Sequence, residues 1–194
     1  MAANSKPPRD HDLIDALDKR KRVVYDGPCW RAVRDGRDPL PGSRSGGRWD
    51  DGTFDVLYTS MLANGATAEI FYHLSRGQPI FPSQVRYRIH ELSVALKNSL
   101  RFLAVPDLSD LGVRAEDYGR MSYVERQQEY LRTQDIAETT FFLGCDGLIV
   151  PNGRWDCLNL VVFTERSTPQ SLMTQRDHGL IDWDDWRARS ALKV

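Results

Sequence analysis

Four side chains have types and settings that could do chemistry. Arg31 falls inside CWRAVR (29–34), a strand-like stretch with apolar neighbours. A guanidinium there needs an anionic partner, because an unpaired charge against a core is costly. The partner is either a structural carboxylate or a ligand phosphate, whose oxygens suit the bidentate fork. Arg48 stands between Gly46-Gly47 and the turn signal Asp50-Asp51-Gly52, so it is a solvated loop residue, a partner for Asp50 or Asp55, or part of a site. Tyr58 lies in the strand leading out of that turn, either as a core ring with a bonded hydroxyl or as a flat face for a planar ligand group. Glu69 borders the apolar stripe of the next helix, where a carboxylate either partners Arg31 or Arg48 or acts as an acid in a cleft.

Other chemistries have little support. No GxSxG, P-loop or GxGxxG fingerprint is present. Gly42-Ser43-Arg44-Ser45-Gly46-Gly47 is glycine-rich like a phosphate loop, but it lacks the Lys-Ser/Thr pair and a strand-to-helix setting. Cys29, Cys145 and Cys157 form no CxxC pair, and His11, His73, His90 and His178 form no HExxH, so no metal site is expected.

The elements that must hold these residues follow from periodicity. Residues 1–10 read as a polar tail, and Leu13, Ile14 and Leu17 at helical spacing predict a short helix over 11–20. Residues 35–55 hold seven glycines and prolines and read as a long loop, a feature more often functional than decorative. A strand is predicted at 56–60 and a helix at 61–75 with the core stripe Leu62, Ala66, Ile70 and Leu74. QVRYRIHEL (84–92), with Val85, Tyr87 and Ile89 alternating, and LRFLAV (100–105) read as two strands. Residues 115–138 are helical in pattern. GLIVP (147–151) and LNLVVF (158–163) are nearly continuous apolar strands around an Asn152-Gly153 turn, and the tail reads as a strand and a short helix. No internal repeat or low-complexity segment is evident. The sum is an α+β domain of short strands with segregated helices, divided as a tail and short helix (1–22) and a main domain (23–194).

Composition narrows the function classes. The chain has 194 residues, 41% hydrophobic and 27% charged, which fits one ordinary globular domain. A formal net charge of −1 argues against a dedicated nucleic-acid binder, and the basic run Lys19-Arg20-Lys21-Arg22 reads instead as the end of a helix that opens with acids. There is no apolar run of membrane-spanning length and no secretory signal in MAANSKPPRDHD, so a cytoplasmic protein is expected.

Taken in order, CWRAVRDG (29–36), SGGRWDDGTFDVLYTS (45–60), ANGATAEIFYHL (63–74) and CDGLIVPNGRWDCLNLVVF (145–163) resemble the RES domain family. The resemblance implies a compact fold similar to the diphtheria-toxin-like ADP-ribosyltransferases. It further implies a bacterial toxin of a toxin–antitoxin pair that consumes NAD without a metal. ADP-ribose would pass to water, phosphate or a protein acceptor. In this likeness Glu69, Arg31 and Tyr58 are the catalytic residues. Arg31, Arg48, Tyr58 and Asn152 bind NAD, the arginines on the pyrophosphate and the tyrosine ring on nicotinamide. Where the family shows Pro-Ser, this chain has Pro151-Asn152, which keeps hydrogen bonding but not a hydroxyl. The rival expectations are a strictly protein-directed mono-ADP-ribosyltransferase toxin and an NAD-binding module without turnover. A cognate antitoxin is the implied partner, with Trp183 and Trp186 as exposed candidates for its contact unless they pack back on the domain.

Overall fold

The computed structural model describes residues 8–75, 86–119 and 126–191. Its first helix, α1 (His11–Asp18), starts where the Asp10 carboxylate accepts the Leu13 N–H at 3.2 Å, and it buries Leu13 and Leu17. The basic run serves the end of this helix. Arg22 donates to the Leu17 carbonyl at 2.9 Å, and Arg20 lies over the Phe102 ring while donating to the Asp107 carbonyl.

Strands β1 (Val23–Arg34), β2 (Val56–Ser60), β3 (Tyr87–Arg101), β4 (Gly147–Pro151), β5 (Leu158–Phe163) and β6 (Leu172–Leu180) form one sheet in the order β1-β2-β5-β4-β3-β6. Because β1 also pairs with β3, the first five strands close on themselves and β6 hangs from β3. Only β3 and β4 run parallel. The period of two explains the core. Val56, Leu148, Val150, Val161 and Phe163 point to one cluster, under α1 and the helix α4 (Arg126–Phe142). Leu57, Ile149, Leu160 and Val162 point to the other, with Cys29, Leu92, Val94 and Leu96. Strands buried on both faces read as nearly continuous apolar runs, which is why β4 and β5 stand out in the sequence.

The α+β class is as expected, and several element boundaries are corrected. The strands expected at 84–92 and 100–105 are one strand, β3, which pairs with β1 from Tyr87 to Ser99. Polar Lys97 and Asn98 do not interrupt it, since the Asp146 carboxylate accepts both their N–H groups. Gln84 and Val85 lie outside the described residues. Of the helix expected over 115–138, residues 115–119 form turns, 120–125 lie outside the described residues, and α4 starts at Arg126 and reaches Phe142, while residues 106–109 form the short α3 (Pro106–Ser109). Helix α2 (Ala63–Ser75) buries Gly65, Ala66, Thr67 and Ala68, so of the predicted stripe Ala66 is buried, Ile70 and Leu74 are half-buried, and Leu62 is 48% exposed ahead of the helix. Its N-terminal half lies so close to the β4–β5 turn that only small side chains fit. In α5 (Trp183–Ala191), Trp183 and Trp186 are both buried against Phe71, so the tail packs on the domain and neither ring is exposed. No helix among the described residues is long and apolar enough to cross a membrane.

Candidate functional site

The loop between β1 and β2 is pinned by hydrogen bonds involving Asp50, Tyr58 and Gln134. Asp50, fully buried, accepts the Gly46 N–H at 3.0 Å and the Gly52 N–H at 2.7 Å. Gly46 has φ +69° and Gly52 φ +85°, a backbone region open to glycine. The Trp49 N–H donates to Tyr58 Oη at 2.9 Å, and Gln134 on α4 donates to the carbonyls of Gly47 and Asp50. A Cβ at Gly47 would stand 2.6 Å from Tyr58 Oη, so the missing side chain is what lets the loop close over the tyrosine.

This loop, β1, β2 and α2 enclose a cavity of about 410 Å³, a size typical of small-molecule sites. Four of the five residues singled out from the sequence line it: Arg31, Arg48, Tyr58 and Glu69. Among the described residues Arg31 has no carboxylate partner. Its Nη1 donates to the carbonyls of Pro39 at 2.6 Å and Pro41 at 2.8 Å, and Nε and Nη2 make no hydrogen bond to those residues. Burial pushes its pKa down to about 10, with Asp38 and then Cys29 opposing, so it stays charged at neutral pH. Arg48 lies over the rings of Tyr118 (4.8 Å) and Tyr130 (5.7 Å). Of the two aspartates weighed as its partner, Asp50 is taken up by the loop amides and Asp55 pairs with Arg44 at 3.2 Å.

Tyr58 has the bonded hydroxyl that its position suggested and also lines the cavity, and burial raises the phenol pKa well above the usual 10, which removes it as a proton donor or acceptor near neutrality. Glu69 is the unusual group. Its Oε1 is buried without a hydrogen-bond partner, although its charge is felt at Arg154 and at Cys157. An orphaned carboxylate oxygen in a cavity is what a ligand hydroxyl or a developing cation would satisfy.

Asn152 does not join the others. It is buried behind the wall, where Nδ2 donates to Asn159 Oδ1 at 2.8 Å and Oδ1 accepts the N–H groups of Arg154 and Trp155. Asn159 is the residue that reaches the cavity on that side. The Asn-for-Ser departure therefore shapes the β4–β5 turn.

Sequence reasoning missed Trp30, Tyr72, Tyr130 and Arg154, which also line the cavity. A signal for one of them was present. Gly47-Arg48-Trp49-Asp50 recurs as Gly153-Arg154-Trp155-Asp156, a repeated tetrapeptide that a search for longer periods passes over. Arg154 stacks at 3.3 Å on the Tyr72 ring. Among the described residues Glu69 is the one carboxylate lining the cavity beside Arg31, Arg48 and Arg154, so their balance is positive, and the aromatic rings offer flat faces. Such a site suits a planar ligand carrying more than one negative charge.

The family model described as RES domain matches residues 28–184. A chain of the crystal structure of the M. tuberculosis MbcT-MbcA toxin-antitoxin complex has a similar fold, with a TM-score of 0.77. The two chains are 21% identical, and the likeness covers 94% of this chain and 98% of that one. No curated protein matches the chain.

Proposed function

The chain belongs to the RES domain family, and from that premise we propose that it is the toxin of a toxin–antitoxin pair that cleaves the nicotinamide–ribose bond of NAD. The observation that carries the reading is the buried, unpartnered Glu69 Oε1 in a cavity shared with Arg31, Arg48 and Tyr58.

In this reading the arginines attract the diphosphate, and the Tyr58 ring packs against the nicotinamide. The C1′–N bond then breaks heterolytically, nicotinamide leaves with the bonding electrons, and positive charge spreads over C1′ and the ring oxygen as in glycoside cleavage. Glu69 hydrogen-bonds the ribose hydroxyls and stabilises that charge at short range, where water is largely displaced. Water, phosphate or a protein side chain attacks C1′ and releases a proton, which balances the reaction. Orientation within the cavity supplies much of the remaining acceleration.

The partner and setting follow the family. The fold relative is part of a toxin–antitoxin complex, which supports a cognate antitoxin for this chain, acting in the cytoplasm where NAD is abundant. Asn152 lies behind the cavity wall, so its replacement of the family's serine gives no reason to prefer a module without turnover.

The test is to incubate pure protein with NAD, with and without cell extract, and to measure free nicotinamide. Release that disappears in Glu69→Ala supports the reading, while none under either condition overturns it. Label on the adenylate half then separates the acceptors: soluble ADP-ribose or its phosphate for small acceptors, a labelled band for a protein.

A further inference from the structure

The two copies of Gly-Arg-Trp-Asp meet. Gly153 stands so near Arg48 that a Cβ on it would be 3.1 Å from Arg48 Nη1, which puts the second copy alongside the first at the cavity wall. Each arginine rests on tyrosine, Arg48 over Tyr118 and Tyr130 and Arg154 over Tyr72, and both line the cavity. Each copy is also braced by an acceptor within its own turn. Asp50 holds the amides of Gly46 and Gly52, and Asn152 Oδ1 holds those of Arg154 and Trp155.

Two guanidiniums set side by side repel, and their mutual field is felt at Arg154. Arg154 has no ion-pair partner among the described residues, and its Nε is buried without a hydrogen-bond partner. The nearby carboxylate, Glu69, is equally unsatisfied at Oε1. The guanidinium stacks on the Tyr72 ring, and no ion pair joins it to Glu69 among the described residues. Such an arrangement is completed by an anion between the arginines.

We propose that Arg48 and Arg154 form a two-armed clamp for the diphosphate, with Arg154 taking the phosphate attached to the scissile ribose. The assignment rests on the NAD reading, in which Glu69 marks that ribose. Arg154 rests on Tyr72, which follows Glu69 by three residues on α2 and so shares its face, and the charge next along the substrate from C1′ is the 5′-phosphate of the same ribose. Arg48, on Tyr118 and Tyr130, takes the adenylate phosphate. Arg31, whose Nη1 is committed to Pro39 and Pro41, adds charge and braces the loop.

Truncated substrates test this. Nicotinamide riboside lacks the phosphate and nicotinamide mononucleotide carries it, and affinities for both can be measured by calorimetry, whether or not turnover occurs. The wild type is expected to prefer the mononucleotide by roughly 10- to 100-fold, the worth of a charge-assisted bond. Arg154→Gln should erase that preference while leaving the riboside within about two-fold, and Arg154→Lys should keep part of it. Should the glutamine variant fail to fold, the lysine variant carries the test, with a smaller drop expected. A wild type without the preference, or an Arg154→Gln that keeps it or weakens both ligands equally, overturns the assignment. Binding preference without any release of nicotinamide from NAD would sink the reaction and leave the clamp standing. A wild type that binds neither ligand overturns both.

Discussion

At the residue scale, the most consequential atom is the unpartnered Oε1 of Glu69. Glu69→Gln keeps the shape and removes the charge, so nicotinamide release should fall by about 100- to 1000-fold while NAD affinity stays within a few-fold. A parallel loss of affinity would make Glu69 a binding residue only. Tyr58 predicts the opposite balance. Removing its hydroxyl in Tyr58→Phe strips the Trp49 N–H of its acceptor and should cost about 1–3 kcal/mol in urea denaturation. Since burial keeps the phenol protonated, the pH profile of turnover should not move. His90 supplies a pH effect of its own. It is buried opposite Arg31, and neither ring nitrogen has a hydrogen-bond partner. Burial holds its pKa below the ordinary 6.5, aided by Arg88 and Arg31 and opposed by Asp177 and Asp38. The unfolded chain therefore takes up that proton first, and stability present above pH 6.5 is lost as pH falls below it. The melting temperature should drop through this window in the wild type and stay flatter in His90→Gln. Asp10, held down by Arg132, and Asp177, held down by the Gly179 amide, start below 3.8 and act only at more acid pH.

At the element scale, the close approach of α2 to the β4–β5 turn decides where Glu69 points. A Cβ at Gly65 would collide with Ser60 Oγ and Cys157 Sγ. Gly65→Ala should therefore cost about 1–3 kcal/mol in denaturant unfolding and lower turnover as well, because the helix that carries Glu69 must shift. A loss of stability with normal turnover would show that α2 repacks around the methyl. The same approach explains what was readable. Strands β4 and β5 are legible because burial on both faces writes a nearly continuous apolar run, and β2 because Val56 and Leu57 follow a turn signal. The burial face of α2 is not, because a helix pressed against backbone selects small residues, and Gly65 and Ala66 carry little periodic signal. Strand β3 was divided in two because Lys97 and Asn98 look like a break, and the Asp146 carboxylate that carries them through comes from far along the chain. Arg31, Arg48, Tyr58 and Glu69 stand out from their settings and the family likeness, and the fold brings all four to one cavity. Arg154 sits on a turn, where periodicity says nothing, and Asn152, expected beside them, takes the other side of the wall, which a motif position does not reveal.

At the scale of the whole molecule, the site is assembled from β1, the β1–β2 loop, β2, α2, α4 and the β4–β5 turn, so a ligand that bridges them must stabilise the fold as a unit. NAD at 100 times its dissociation constant should add about 2.7 kcal/mol, which for a chain of this length corresponds to roughly 5–10 °C in melting temperature. No shift with NAD would count against the cavity as its site. The loop that carries Arg48 also has a consequence for how the molecule breathes. The N–H groups of Gly46, Trp49 and Gly52 are fastened to Asp50 and Tyr58, and the carbonyls of Gly47 and Asp50 to Gln134. In amide hydrogen exchange these three positions should therefore resist deuterium about as long as the flanking strands, although they belong to neither helix nor strand. The resting cradle would then be a finished mould into which substrate falls, with little ordering left to do on arrival.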